Sequence, residues 1–182
     1  MKVLGVAGSL RRDSHNRKLL RAAGALLPPE VQFTEYDRLK YVPPFDEDDE
    51  PVAPLAVTHW REAIEEADAI LFATPEYNSS IPGQLKNAID WASRPVSTAA
   101  LRNKPVAVIG ASTGSFGAVW SQAELRKVLG SAGARVVDRQ LPVPSADEAF
   151  REDGRLVDGD AALELDSVIA ELLDSARRRL AA

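Results

Sequence analysis

Three short segments carry the residues whose types and spacing can do chemistry. The first is Gly8-Ser9-Leu10-Arg11-Arg12-Asp13-Ser14-His15-Asn16, which gathers small hydroxyl residues, peptide N–H groups and a guanidinium just ahead of a helical pattern. A helix start of this kind holds a phosphate through unpaired N–H donors, the helix dipole and charge-assisted hydrogen bonds. It is neither G-x-x-x-x-G-K-[ST] nor G-x-G-x-x-G, which disfavours a nucleoside triphosphate or a standard dinucleotide site. Spacing alone equally allows an ordinary serine-capped helix start.

The second segment is Pro75-Glu76-Tyr77-Asn78-Ser79-Ser80-Ile81-Pro82-Gly83. Two prolines and a glycine stiffen a turn that follows an apolar run, leaving an aromatic and an amide between them. Such a loop can border a flat heteroaromatic ring, or it can be a rigid turn and nothing more. In the third segment, Gly110-Ala111-Ser112-Thr113-Gly114-Ser115-Phe116-Gly117, three glycines permit close backbone approach to a ligand. Glycine-rich turns between a strand and a helix are common, so this segment is weak by itself.

Composition removes several classes of chemistry. The chain has no cysteine, which excludes disulfides, thiolate zinc sites and a thiolate nucleophile of the phosphatase or arsenate reductase type. His15 and His59 are too few for a histidine-rich metal site, and no metal is expected. The net charge of −5 argues against nucleic acid as a partner. The Arg177-Arg178-Arg179 run ends a helical pattern, where cations suit the dipole and solvent. No apolar run approaches the roughly 18 residues needed to cross a bilayer. The first residues enter a strand pattern at once and meet Arg11, Arg12 and Asp13 before a signal core is complete, so a cytoplasmic protein without membrane contact is expected.

The three segments need a frame that brings them together. Residues 2–8, 69–74 and 105–111 are continuously apolar and read as strands buried on both faces. Residues 31–36 and 135–141 alternate more, as strands with a more exposed set of positions do. Between them lie helical patterns. Leu19, Leu20, Ala23, Leu26 and Leu27 share a face after Ser14, with Pro28 and Pro29 as the stop. Leu55, Trp60, Ile64 and Ala67 mark a second helix, and Leu85, Ala88, Ile89 and Ala92 a third behind Pro82. Residues 118–132 give a fourth, closed by Gly133, and residues 161–180 a fifth.

Strict alternation of strand and helix predicts an α/β domain spanning residues 1–182, with a five-stranded parallel sheet covered on both faces. Five strands favour the order 2-1-3-4-5, whose switch point lies between strands one and three. Ligands bind outside the carboxyl ends of the strands at such a point, which is where all three segments fall. The acidic, proline-rich residues 43–54 read as a surface loop without chemistry.

Taken together, GSLRRDSHN at 8–16, PEYNSSIPGQLKNAIDWASRP at 75–95 and ASTGSFGA at 111–118 resemble the NAD(P)H-dependent FMN reductase family, which includes quinone, chromate and azo-dye reductases. The resemblance implies a flavodoxin-like three-layer sandwich over nearly the whole chain. It also implies bound FMN, with NADPH or NADH as reductant and a small-molecule acceptor: a quinone, azo compound, chromate or flavin. Ser9, Arg11, Ser14 and Asn16 would bind the FMN phosphate. Pro75, Glu76, Tyr77 and Asn78 would border the isoalloxazine and ribityl chain, with Ser112 and Gly114 closing the other side.

No side chain is expected as a catalytic base, because the chemistry belongs to the flavin. Glu76 has two readings, a structural carboxylate paired with a nearby cation or a group that influences acceptor access. Trp91 is either a core aromatic or part of a subunit contact, since the family is typically dimeric or tetrameric. Thr113 stands where many relatives carry proline. The alternative function is a flavodoxin-type electron carrier that docks on redox partners; a flavin-free regulatory protein is a third.

Overall fold

The continuously apolar runs form the central strands of one sheet. In the computed structural model, which describes residues 1–181, β1 (Lys2–Ala7), β3 (Ala69–Thr74) and β4 (Pro105–Ala111) are buried almost throughout. β2 (Gln32–Tyr36) and β5 (Arg135–Val143) form the two edges, and their exposed positions account for their mixed sequences. The order is β2-β1-β3-β4-β5 and every pairing is parallel, as expected. Register places Val3 beside Ala69 and Ile70 beside Val106, so β1, β3 and β4 end level with one another at one rim.

Helices cover both faces. α1 (His15–Ala25) and α5 (Gly159–Leu180) pack on one side, where Leu19, Leu20, Val168 and Leu172 meet Val3, Leu71 and Ile109. On the other side α2 (Leu55–Glu66), α3 (Gly83–Ala92) and α4 (Val119–Ser131) bring Trp60, Leu85, Trp91 and Leu125 against Val6, Phe72 and Val108. Full burial of each such side chain contributes about 1.5–3 kcal/mol relative to exposure. The sheet therefore has a core on each face, and the loops at its carboxyl rim rest on a packed base.

Trp91 resolves to the core. It is fully buried, and its Nε1 donates to the Pro43 carbonyl at 2.9 Å. Asn87 Nδ2 donates to the same carbonyl at 2.7 Å, while Asn87 Oδ1 accepts from the Phe45 N–H at 2.6 Å. Residues 43–45 are thus pinned to α3. The acidic stretch beyond them is not a bare loop but contains a 3₁₀ turn, Glu47–Val52, opened by the Asp46 side chain accepting from the Asp48 N–H.

Most boundaries fall within one or two residues of the sequence pattern, and two of the differences have a clear local cause. β5 runs two residues past the expected end because a register shift between Val106 and Val108 lets the strand bulge and continue to Val143. α4 begins at Val119 rather than 118, since Gly117 and Ala118 both adopt positive φ, 58° and 62°, ahead of the first turn.

Candidate functional site

Beyond the carboxyl ends of β1, β3 and β4 lies a crevice of about 270 Å³, at the point where the strand order reverses. Ser9, Arg11, Ser14, Asn16, Pro75, Glu76, Tyr77 and Ser112 line it, together with His15, Ala111 and Thr113. Eight of the ten residues singled out in the sequence meet there. Asn78 and Gly114 lie outside its lining.

The first loop is built tightly against the sheet. The Gly8 N–H donates to the Ala73 carbonyl at 2.8 Å, joining the ends of β1 and β3. A Cβ at Gly8 would come within 2.9 Å of Leu85 and 3.3 Å of Pro75. Ser14 takes the N-cap position of α1, and its carbonyl accepts from the N–H groups of Arg17 and Lys18, both at 3.1 Å. Its hydroxyl makes no cap bond. Instead Ser14 Oγ and the neighbouring His15 Nδ1 are buried with no hydrogen-bond partner, although buried polar groups are ordinarily satisfied. His15 is held below its usual pKa, first by burial and then by the positive charges of Arg11 and Lys18. Arg11 stands exposed at the mouth, with Nη2 donating to the Asp13 carbonyl at 2.9 Å.

Asn16 has different work from the hydroxyls around it. It is only 2% exposed, and its side chain makes two bonds to the Ala111 backbone, Nδ2 to the carbonyl and Oδ1 from the N–H, both 2.9 Å. Its amide is committed to holding the first loop against the third.

The second loop is anchored from behind. The Pro75 carbonyl accepts from Ser121 Oγ and Thr74 Oγ1, each at 2.8 Å. Glu76 Oε2 accepts from the N–H groups of Trp120 at 3.1 Å and Ser121 at 3.2 Å. That carboxylate caps α4, whose own N-cap residue, Ala118, has no side-chain oxygen to offer. The expected cation partner for Glu76 is replaced by a helix start. Tyr77 is half exposed, its hydroxyl 3.5 Å from Ser9 Oγ. Tyr77 and Ser80 exchange backbone hydrogen bonds of 3.0 and 3.1 Å around Asn78 and Ser79, both at positive φ. Asn78 therefore sits at the exposed tip of a two-residue turn.

In the third loop, Ser112 is tied to the end of β5, its N–H donating to Val143 at 3.0 Å and its carbonyl accepting from Ala146 at 3.1 Å. Ser112 Oγ accepts from the Gly114 N–H at 3.2 Å. His15, Ala111 and Thr113 complete the lining, and each adjoins a residue already singled out. What local sequence did not signal is Ser121, whose hydroxyl reaches Pro75 from 46 positions away.

Residues 1–148 match the family described as NADPH-dependent FMN reductase. The chain belongs to that family. It is 44% identical over 167 residues to an NAD(P)H-dependent FMN reductase of Pseudomonas aeruginosa, covering 91% of this chain and 89% of the relative. A quinone reductase of Pseudomonas putida is 42% identical over 125 residues, 68% of this chain and 67% of its own. Among solved structures, the NAD(P)H:acceptor flavoenzyme FerB of Paracoccus denitrificans superposes with a TM-score of 0.85 at 35% identity, over 97% of each chain. As a member of the NADPH-dependent FMN reductase family, this protein is a flavodoxin-like oxidoreductase that uses FMN and a reduced nicotinamide. That places it with the reductases rather than with electron carriers.

Proposed function

We propose that the crevice at the switch point holds the FMN of a reductase whose acceptor is a quinone-type small molecule. In this reading Ser9, Arg11 and Ser14 hold the flavin phosphate, while Pro75, Glu76, Tyr77 and Asn78 form the border of the ring on one side and Ser112 and Gly114 on the other. The observation that carries it is the pair of buried, unpartnered polar atoms at the start of α1, Ser14 Oγ and His15 Nδ1, beside the Arg11 guanidinium. A hydroxyl, a ring nitrogen, a helix N-terminus and a cation at one spot fit a phosphate.

Bound FMN supplies hydride and electron transfer; the protein supplies orientation and electrostatics. Arg11 and the α1 dipole neutralise the phosphate. Asn16 holds a positioning role, because its amide fixes the distance between the phosphate loop and the Ser112 loop. Glu76 keeps the Pro75–Tyr77 segment seated on α4. Half-exposed Tyr77 leaves the mouth open to a planar acceptor, which supports alternating use of one face by nicotinamide and quinone. The quinone assignment follows the names of similar proteins.

The same reading takes residues 1–182 as one FMN-binding domain, working in the cytoplasm as a homodimer or homotetramer. No helix among the described residues is long and apolar enough to cross a membrane.

The test is a visible spectrum of the purified protein after FMN addition, followed by steady-state oxidation of NADH and of NADPH with a quinone. A flavin spectrum and quinone-dependent nicotinamide oxidation are expected. A protein that stays colourless with excess FMN, or a flavoprotein that oxidises neither nicotinamide, would overturn the proposal.

A further inference from the structure

A second concavity, of about 800 Å³, opens beyond the carboxyl end of the edge strand β2, between α1, α2 and the 3₁₀ turn Leu39–Tyr41. It shares no lining residue with the crevice, although the Arg17 N–H on its wall is bonded to the Ser14 carbonyl. Arg17, Arg38 and Lys40 line it, with Asp37 as their counter-charge. Glu35 lies behind Arg17, its Oε2 3.7 Å from Nε, and is shared with Arg21, whose Nε donates to Oε1 at 2.9 Å. Four cations therefore meet two carboxylates here, in a chain whose net charge is −5.

Hydrogen-bonding capacity in this groove is also unused. Tyr36 Oη and Arg17 Nε are buried without a hydrogen-bond partner. The Tyr36 ring is fixed by Trp60 beneath it, with centroids 4.7 Å apart. Arg38 Nη1 lies 3.3 Å from His59 Nδ1. A guanidinium only donates, so a hydrogen bond at this contact makes Nδ1 the acceptor. The opposite wall is apolar and open to solvent, with Leu55 71% and Tyr41 61% exposed. Lys40 Nζ lies over one face of the Tyr41 ring, 4.8 Å from its centroid, which brings the cation and the exposed aromatic side by side. Cations, spare donors and an exposed aromatic in one groove match a ligand that is dianionic at one end and flat at the other.

We propose that this groove is a second anion site, which takes the phosphomonoester of a nucleoside phosphate between Arg17, Arg38 and Lys40 and lays the base against Tyr41 and Leu55. Two sources share that chemistry: the 2′-phosphate half of NADPH, which rests on the NAD(P)H-dependent reading above, or a separate mononucleotide.

The test uses isotope-labelled, FMN-saturated protein titrated with 2′-AMP, 5′-AMP and inorganic phosphate, following backbone amide signals. Shifts centred on Tyr36, Arg38 and His59 are expected, distinct from those of the crevice. The double variant Arg38→Glu with Lys40→Glu should weaken binding about tenfold for each charge-assisted hydrogen bond it removes. Both side chains are exposed, so its melting temperature should match the wild type. Preference for 2′-AMP, with a raised KM for NADPH and an unchanged KM for NADH in the variant, identifies the dinucleotide. Nucleotide binding with both KM values unchanged identifies a separate mononucleotide. Absence of groove shifts with all three ligands, or equal affinity in the variant, overturns the proposal. Inorganic phosphate binding as tightly as either nucleotide overturns the nucleoside assignment. Because the readout is binding, failure here leaves the flavin reading untouched.

Discussion

Asn16 and Ala111 stand 95 positions apart in the chain and exchange two hydrogen bonds of 2.9 Å. A side-chain amide carries one donor group and one acceptor, so it pairs with a peptide unit as a neighbouring strand would. Asn16 thereby pairs with the last residue of β4 and locks the start of α1 to the glycine-rich loop. The relative placement of the two walls of the crevice rests on this pair.

Replacing Asn16 with Ala leaves the Ala111 N–H and carbonyl buried and unpaired. The expected loss is about 2–4 kcal/mol, or a melting temperature lower by about 5–15 °C for a chain of this size. Differential scanning calorimetry of the apo and FMN-bound forms checks it. An unchanged melt would show that Ala111 finds other partners and that the lock is not needed.

Arg11→Ala should separate binding from folding. The side chain is exposed and its hydrogen bond goes to its own loop, at Asp13, so stability should move by no more than about 0.5 kcal/mol. FMN affinity should fall at least about tenfold, the worth of a charge-assisted bond to phosphate. Fluorescence titration with FMN measures it, with Arg12→Ala as the control outside the crevice. If Arg11→Ala retains FMN as tightly as wild type, the phosphate-loop assignment is wrong.

What the sequence made legible follows from how local each signal is. β1, β3 and β4 could be read because burial on both faces makes a strand apolar throughout, and their order followed from strict alternation with helices. Ser14 was legible as a helix start, but not the fact that its hydroxyl lacks a cap partner. Asn16 has the residue type of a phosphate ligand, yet its partners belong to a strand 95 positions away, and no local pattern records them. Glu76 looked like one half of an ion pair. Its partners are peptide N–H groups 44 and 45 positions on, at a helix start whose own residues carry no cap. The end of β5 was missed because a bulge resets the alternation that sequence reading depends on.

Glu76 gives the third prediction, and it separates the two readings of that residue. Glu76→Ala removes the cap of α4 and should cost about 1 kcal/mol of unfolding free energy. Glu76→Gln keeps an acceptor oxygen and should lose less than half of that, with kcat/KM for quinone within about twofold of wild type, since a change of 1.4 kcal/mol would be tenfold. Urea unfolding and steady-state kinetics read the two effects separately. A Gln variant that is stable but slow with the acceptor would mean that the carboxylate acts on substrate.

Gly117 closes the turn into α4 at φ +58°, where a Cβ would meet Val143 N at 2.6 Å and the Pro142 carbonyl carbon at 2.7 Å. Both neighbours are backbone of the extended part of β5 and cannot rotate away. Gly117→Ala should therefore cost more than the roughly 1–2 kcal/mol of the left-handed conformation alone. Gly114→Ala is the comparison, because its nearest neighbour is the Ser112 hydroxyl at 3.6 Å. Unfolding curves for the two variants should differ clearly. Equal curves would show that the β5 extension gives way.

Lys104 gives a prediction about pH. It is 2% exposed at the foot of β4, and its Nζ donates to the Ala67 carbonyl at 2.5 Å and to the Glu65 carbonyl at 3.2 Å, closing the end of α2. Burial, and then the charge of Arg179, lowers its pKa from 10.5 to about 8. Above about 8 the folded lysine loses its proton while the unfolded one keeps it until about 10.5, so the unfolded state binds more protons across this window. The contribution of Lys104 to stability therefore rises with pH through the window and is lowest below it, where the lysine is charged in both states. Lys104→Met deletes the titration. The unfolding free energy of wild type minus that of the variant should climb between pH 8 and 10.5 and lie flat around pH 6–7. Urea unfolding at a series of pH values measures it; a difference that stays constant across the window would show that burial leaves this lysine unshifted.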